Sequence, residues 1–201
     1  MTGEFQRVVL KLLHEVLGGT IEPTPDWLKR PGRRECGNRW LLVTSIYREL
    51  TGRQLTEELP VGETRRVDCV LRVANSNPRI IEVDETQHFN RFRAATLRLY
   101  HQEVQLAFDS NVWIESSEKK MRLETGGFAA ARPPLFPESG GRHLQRAFRD
   151  ALCDILPPDY GFLPTLRIAK FDVDDWLRTN RAAERMQALL DRKFSFSTLI
   201  Q

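Results

Sequence analysis

Three carboxylates stand at strand spacing in the middle of the chain. Asp68 lies in the run 66–71, and Glu82 and Asp84 alternate with apolar residues in the run 79–84. Successive side chains of a strand point to opposite faces of a sheet, so the three acids are expected on one face. Acids held together repel one another, and a divalent cation removes that cost. Because carboxylate oxygens suit Mg²⁺ and Mn²⁺, this spacing predicts a metal site.

The two acidic runs are separated by a polar turn, residues 74–78, and therefore predict a β-hairpin. A hairpin whose polar face is simply solvated is the plainer interpretation. The polar cluster at the end of the second run, with Gln87 and His88 beside Phe89, favours a functional site instead. The apolar residues expected to share the buried face are Val67, Cys69, Leu71, Ile81 and Val83.

An acid on one strand, followed by an acid–x–polar residue on its hairpin partner, resembles the PD-(D/E)XK nuclease superfamily. That superfamily includes many restriction endonucleases and very-short-patch-repair-like nucleases. Asp68 stands at the place of the first acid, and Glu82-Val83-Asp84 stands where (D/E)-x-K stands. The run 81–89, IEVDETQHF, also looks like the "IE-x-D-x-x-x-H" strand end of small bacterial endonuclease-like proteins in this group.

The chain departs from the superfamily pattern at two positions. Val67 precedes Asp68 where the pattern has proline, and Asp84 replaces the usual lysine. A second alignment, with Glu85-Thr86-Gln87 as an E-x-Q form of the motif, stays open.

The resemblance implies Mg²⁺-dependent hydrolysis of phosphodiester bonds, in DNA before other substrates, with Mn²⁺ able to substitute. Asp68 and Glu82 would bind the metal, and Asp84 would be a further ligand or orient the water. Gln87, His88 or an arginine from elsewhere would replace the lysine, and His88 could also protonate the leaving oxygen. The predicted catalytic residues are therefore Asp68, Glu82, Asp84, Gln87 and His88.

Two other functions stay open. The chain could be a degenerate nuclease fold that acts as a nucleic-acid-binding module, with Asp84 as the trace of lost cleavage. It could also be a metal-dependent phosphoesterase of small nucleotides. Cleavage of a palindromic double-stranded site would call for a two-fold homodimer.

Arginines on two predicted helices are candidates for phosphate contacts, since backbone phosphates attract Arg and Lys whatever the base sequence. Arg91 and Arg93 begin the helix after the hairpin, and Arg142 and Arg146 share one face of the helix 142–156. Glu49, late in a helix that begins near Asn38, is an accessory acid, although a solvated position suits it better.

Composition sets the class of protein. With 201 residues and 41% hydrophobic residues, the chain can bury a sizeable core. Its net charge of +3 does not by itself announce nucleic acid. Three widely spaced cysteines argue against a disulfide framework and against a zinc site, and favour a reducing cytoplasm. No run reaches membrane-spanning length and no signal-peptide pattern is present, so no membrane partner is expected.

The order of elements predicts an α/β fold with a restriction-endonuclease-like core, a small mixed sheet flanked by helices. The sequence predicts one nuclease-like domain. Residues 1–36 would form an N-terminal helix and a basic loop, 37–171 the core, and 172–201 a C-terminal helix. Residues 54–61 are expected as the first core strand, 165–171 as a later strand, and 109–123 as a helix.

Overall fold

A computed structural model describes residues 3–100, 104–120 and 122–196. Its centre is a four-stranded sheet in the order β1 (Thr20–Glu22), β2 (Cys69–Arg72), β3 (Arg79–Asp84) and β4 (Leu163–Ala169). The first three strands pair antiparallel, whereas β4 runs parallel to β3. The predicted α/β class, a small mixed sheet flanked by helices, is confirmed.

Nine helices accompany the sheet in the described ranges. They are α1 (Glu4–Leu17), α2 (Asp26–Lys29), α3 (Arg33–Cys36), α4 (Trp40–Thr51), α5 (Arg91–Arg98), α6 (Ser110–Lys119), α7 (Gly141–Ile155), α8 (Lys170–Val173) and α9 (Ala182–Phe196). Single 3₁₀ turns lie at Gly37–Arg39, Val61–Glu63, Thr86–His88, Gly126–Ala129 and Pro157–Tyr160. None of the described helices is both long enough and apolar enough to cross a membrane.

One face of the sheet is apolar and packs against α1 and α9. Cys69, Leu71, Ile81 and Val83 share this face, as the sequence predicted, and Leu166 and Ile168 of β4 extend it. Each fully buried aliphatic side chain of this kind stabilises the fold by about 1.5–3 kcal/mol. Val67 is the exception, because β2 begins only at Cys69 and Val67 packs with the residues of the opposite layer.

The other face carries apolar residues at one end and charged residues at the other. Val70 and Ile80 pack against α4 and α7, whereas Glu82 and Asp84 lie beneath α7 with exposures of 5% and 0%. The plainer interpretation, a hairpin with a solvated polar face, is therefore wrong. Burial of carboxylates requires partners, and the charged end of this layer is built to supply them.

Two expected elements are absent from the places that the sequence assigned to them. Residues 54–61 form no strand, and the outer strand is β1, which lies within the segment interpreted as a basic connecting loop. β1 has only three residues, too few for a hydrophobic period to show. The expected C-terminal helix 172–201 is interrupted, because a turn buries Trp176 and Leu177 between α8 and α9, and its last part, 197–201, lies outside the described residues.

The loop before α7 is fixed by backbone hydrogen bonds. Gly140 and Arg142 donate from their amides to the carbonyls of Ala129 and Ala130, at 2.7 and 2.8 Å. Gly141 begins α7 so close to this loop that a Cβ there would lie 2.1 Å from the carbonyl oxygen of Phe136. A side chain at this position must push the two segments apart.

We predict that Gly141→Ala lowers the free energy of unfolding by about 1–3 kcal/mol, the usual cost of overpacking. Gly127→Ala, in the same loop with open space around its Cβ, is the matched control and should change stability far less. Urea unfolding of both variants measures the difference. Equal stability of the two would show that the loop does not press on α7.

Candidate functional site

The end of β3 brings a carboxylate and an imidazole together. Asp84 is the last residue of β3, and the 3₁₀ turn Thr86–His88 returns the chain so that His88 Nδ1 lies 3.4 Å from Asp84 Oδ1. Asp150 of α7 approaches from the facing layer, with Oδ2 3.1 Å from the same nitrogen. The possible ligand atoms of Asp84, His88 and Asp150 all lie within 4.8 Å of one another. No other such group of three occurs among the described residues.

Asp150 was missed by the sequence analysis. It lies on α7, where Asp150 and Asp154 are four residues apart and therefore on one face of the helix. Both are almost fully buried. The sequence did contain an indication of this burial, because the two acids lie one helical turn apart and each is followed by an apolar residue.

Arg167 of β4 joins the acids of β3 and α7. It lies opposite Glu82 in the strand register and is completely buried. Its Nη1 donates to Asp84 Oδ1 and its Nε to Asp154 Oδ1, both at 2.7 Å. Nη2 donates to the carbonyl of Asp150 at 3.1 Å. A planar guanidinium with five donors can serve several acceptors at once, which a lysine cannot do in this geometry.

A second buried arginine completes the partners of Asp154. Arg93 Nη2 donates to Asp154 Oδ2 at 2.6 Å, and the hydroxyl of Tyr100 donates to the same oxygen at 2.7 Å. Arg93 was expected to contact phosphates. The structure instead buries it inside this network, so a phosphate in solution does not reach it.

Asp84 is bonded at both carboxylate oxygens. Arg167 occupies Oδ1, and the indole nitrogen of Trp113 donates to Oδ2 at 2.8 Å. Lys193 of α9 lies over the Trp113 ring, 4.6 Å from its centroid, and pairs with Asp172. Asp84 is therefore tied to its surroundings on two sides.

Glu82 has different neighbours from Asp84, although both point to the same side of β3. Its Oε1 lies 3.2 Å from Arg65 Nη2 and 3.3 Å from the sulfur of Cys153. Burial, and after it the charge of Asp68, raise the pKa of Glu82 to about 8. The structure thus places Glu82 outside the group formed by Asp84, His88 and Asp150.

Asp68 faces that group from the start of β2. Its Oδ2 accepts a hydrogen bond of 2.9 Å from the amide of Val83, and the residue is half-buried. Burial raises its pKa, and the charges of His88, Asp84 and Asp150 also act on it. The three acids found from the sequence therefore do converge on one side of the hairpin, while their roles as metal ligands stay predictions.

His88 is electrostatically coupled to Asp150. Burial lowers the pKa of His88, but the Asp150 and Asp84 carboxylates together outweigh it, so the net pKa is raised. Burial raises the pKa of Asp150, but His88 and Arg167 outweigh it, so that pKa is lowered. The Nε2 atom of His88 has no hydrogen-bond partner within the described residues.

Gln87 and two of the predicted arginines lie beside this group. Arg146 Nη1 donates to the backbone carbonyl of Gln87 at 3.1 Å. Arg142 is half-buried one turn earlier on α7, so 142, 146 and 150 follow one another along the helix. Arg91 is exposed on α5. Glu49 is exposed on α4 and does not belong to the group formed by Asp84, His88 and Asp150.

We predict that Arg167→Met lowers the free energy of unfolding by about 3–5 kcal/mol, because it leaves buried carboxylates without their cation. Arg167→Lys should recover part of that loss through its charge. The control is Arg181→Met, which removes an exposed ion pair with Glu184 and should change stability far less, because solvent screens exposed ion pairs. Denaturant unfolding checks all three, and a loss at Arg167 no larger than at Arg181 would contradict a central role for the guanidinium.

Comparison with known proteins identifies a family without assigning a function. Among curated proteins and among solved structures, no match is found. Residues 45–192 match the profile of a family of unknown function, DUF7255. The matched range covers β2, β3, β4 and the charged cluster, which consists of Arg65, Asp68, Glu82, Asp84, His88, Arg93, Asp150, Asp154 and Arg167. Because this match spans well over half of the chain, the protein belongs to the DUF7255 family.

Proposed function

We propose that this chain is a metal-dependent phosphodiesterase that cleaves nucleic acid, with DNA as the first candidate substrate. The observation that carries the proposal is the convergence of Asp84, His88 and Asp150 within 4.8 Å at the end of β3. Asp68 faces this group, and arginines of α7 lie beside it. Acids for a metal next to cations for phosphates are the two parts that phosphodiester hydrolysis requires.

The order of elements supports a restriction-endonuclease-like core. α4 precedes the acid-bearing hairpin of β2 and β3, helices α5 to α7 follow it, and β4 then joins the sheet beside β3. The resemblance to PD-(D/E)XK nucleases implies this sequence of helix, acidic strands, helix and last strand. Glu82 and Asp84 also lie on β3, the hairpin strand on which that resemblance expects the acid–x–polar pair.

The donor set fits a divalent metal. Asp84, His88 and Asp150 offer two carboxylates and one imidazole. Imidazole favours transition metals over Mg²⁺, so Mn²⁺ suits this set better than the Mg²⁺ that the acids alone suggested. A bound divalent ion would polarise a phosphate oxygen and lower the pKa of a water molecule.

The side chains around these three residues have separable tasks. Arg167 is a positioning residue, because its guanidinium fixes Asp84 from below and is not accessible to substrate. Arg146 and the amide side chain of Gln87 lie nearer the surface and are the groups that can orient a phosphate. Together they replace the lysine that the superfamily pattern places at Asp84.

His88 can serve in one of two ways. Either its Nδ1 binds the metal with Asp84 and Asp150, or Asp150 holds the imidazole as a proton donor to the leaving oxygen while Asp68 and Asp84 bind the metal. We propose the first arrangement, because the distances already unite the three groups. The two arrangements differ in what removal of the imidazole does to metal affinity.

A nucleic-acid-binding module without cleavage is the second candidate. One observation favours it: both oxygens of Asp84 already accept hydrogen bonds, from Arg167 and Trp113. A network that is satisfied in this way does not need a metal to neutralise it. Metal binding therefore separates the two candidates.

We predict that the protein binds Mn²⁺ in calorimetry and that His88→Ala and Asp150→Asn each weaken binding at least about tenfold, since each removes a ligand. His14→Ala, an exposed histidine of α1, is the control and should leave binding unchanged. With Mn²⁺, plasmid and single-stranded DNA should be cleaved, and EDTA should stop cleavage.

The pattern of outcomes assigns the function. No Mn²⁺ binding together with retained DNA binding would establish the non-cleaving module. Unchanged metal affinity in His88→Ala together with lost cleavage would make His88 the proton donor. Turnover of a small phosphodiester without cleavage of DNA would indicate a small-nucleotide phosphoesterase.

We predict that replacing both Arg142 and Arg146 with Gln weakens DNA binding about equally across sequences. Two lost phosphate contacts should flatten the slope of log affinity against log salt by about 1.8. The control is the double variant Arg178→Gln with Arg181→Gln, which removes the same charge from exposed residues on the other side of the sheet. A salt slope that falls equally in both double variants would contradict the placement of DNA along α7.

A further inference from the structure

Phe128 is a half-exposed aromatic ring on the charged side of the molecule. Its exposure is 48%, and no other aromatic ring of the described residues stacks on it. Its close neighbour is a cation: the Arg146 guanidinium carbon lies 5.8 Å from the ring centroid. An aromatic face that is open to solvent and backed by arginine is a typical surface for stacking a nucleobase.

Hydrogen bonds to the backbone fix the turn that carries the ring. Phe128 belongs to the 3₁₀ turn Gly126–Ala129, and the Ala129 carbonyl accepts from Gly140 at the start of α7. Just before the turn, the buried His143 donates from Nε2 to the carbonyl of Glu124 at 2.9 Å. The turn is thus bound at both ends to α7, which also carries the arginines.

Arg146, the neighbour of Phe128, belongs to a basic row whose charges act on one another: Arg132, Arg142, Arg146 and Arg149. Within the described residues, the row has one ion pair, between Arg149 and Glu63. Burial, and after it the charges of the neighbouring arginines, lower the pKa of Arg142 to about 10. Because these cations repel one another and three of them form no salt bridge within the described residues, an anionic ligand beside them is favoured.

Arg146 connects the ring to the proposed catalytic group. The same guanidinium that lies over Phe128 donates to the carbonyl of Gln87, next to His88. The aromatic ring is therefore separated from the His88 turn by one arginine side chain. A strand whose phosphate lies at Arg146 has a base within reach of Phe128.

We propose that the ligand of this surface is single-stranded nucleic acid, with one unpaired base stacked on Phe128 and its phosphates along the basic row. This inference rests on the proposed function and names its substrate class. In a duplex the faces of the bases are stacked on each other, so no base face is free to stack on a single aromatic side chain. An unpaired base offers its face to any aromatic ring, whatever the base.

The test uses the full chain in EDTA, so that binding is measured without cleavage. The probes are a fluorescein-labelled oligothymidylate and a blunt duplex of equal length, followed by anisotropy. We expect Phe128→Ala to weaken binding of the single strand about tenfold and to leave duplex binding unchanged. Phe128→Trp should retain the wild-type affinity. Phe171→Ala is the control, because Phe171 of α8 is almost as exposed as Phe128, and it should also retain the wild-type affinity for the single strand.

Each remaining outcome overturns the inference. If Phe128→Ala binds the single strand as tightly as the wild type does, Phe128 is not a stacking platform. The same conclusion follows if Phe128→Ala loses as much affinity for the duplex as for the single strand. In both of these cases, a loss of DNA affinity in the double variant with Gln at 142 and 146 would still support nucleic acid as the substrate, but without a role for Phe128. If the wild type binds neither probe, both the inference and the nucleic-acid substrate fail.

Discussion

The buried guanidinium of Arg167 is the contact on which the charged side of the structure depends. It joins Asp84 of β3 with Asp150 and Asp154 of α7, so that one side chain of β4 links two strands and a helix. Removal of any member would leave a buried charge unpaired, which costs several kcal/mol. The positions of Asp84 and Asp150, and hence of His88 between them, follow from this one cation.

The same constraint explains why the cluster is so large. Carboxylates placed together beneath a helix must be matched, and Arg65, Arg93 and Arg167 supply three cations. The matching acids are Asp68, Glu82, Asp84, Asp150 and Asp154. Acids outnumber arginines, and the raised pKa values of Glu82 and His88 are the response, because a proton on each reduces the excess negative charge.

The sequence predicted the local parts of this arrangement and missed the long-range ones. The alternation of apolar and acidic residues along 79–84 predicted β3 and its two faces, because the alternation of side chains in a strand depends only on neighbouring residues. Asp150 and Arg167 could not be assigned to the site, because their pairing with Asp84 depends on which helix covers the sheet and which strand joins β3. Burial of Arg93 had the same cause: its ion pair with Asp154 is made across 61 residues.

The carboxylates at the buried end of the cluster accept more hydrogen bonds than those near its surface. Asp84 and Asp154 are bonded at both oxygens, whereas Asp68 accepts one hydrogen bond and is half-buried. His88 has a free Nε2 in the described structure, and the Gln87 side chain is also only partly covered. Unused donors and acceptors therefore collect at the edge that faces the arginines of α7. A ligand can bind only to groups that are not already paired, so the proposed metal and phosphate sites belong at this edge, and the buried ion pairs hold its residues in place.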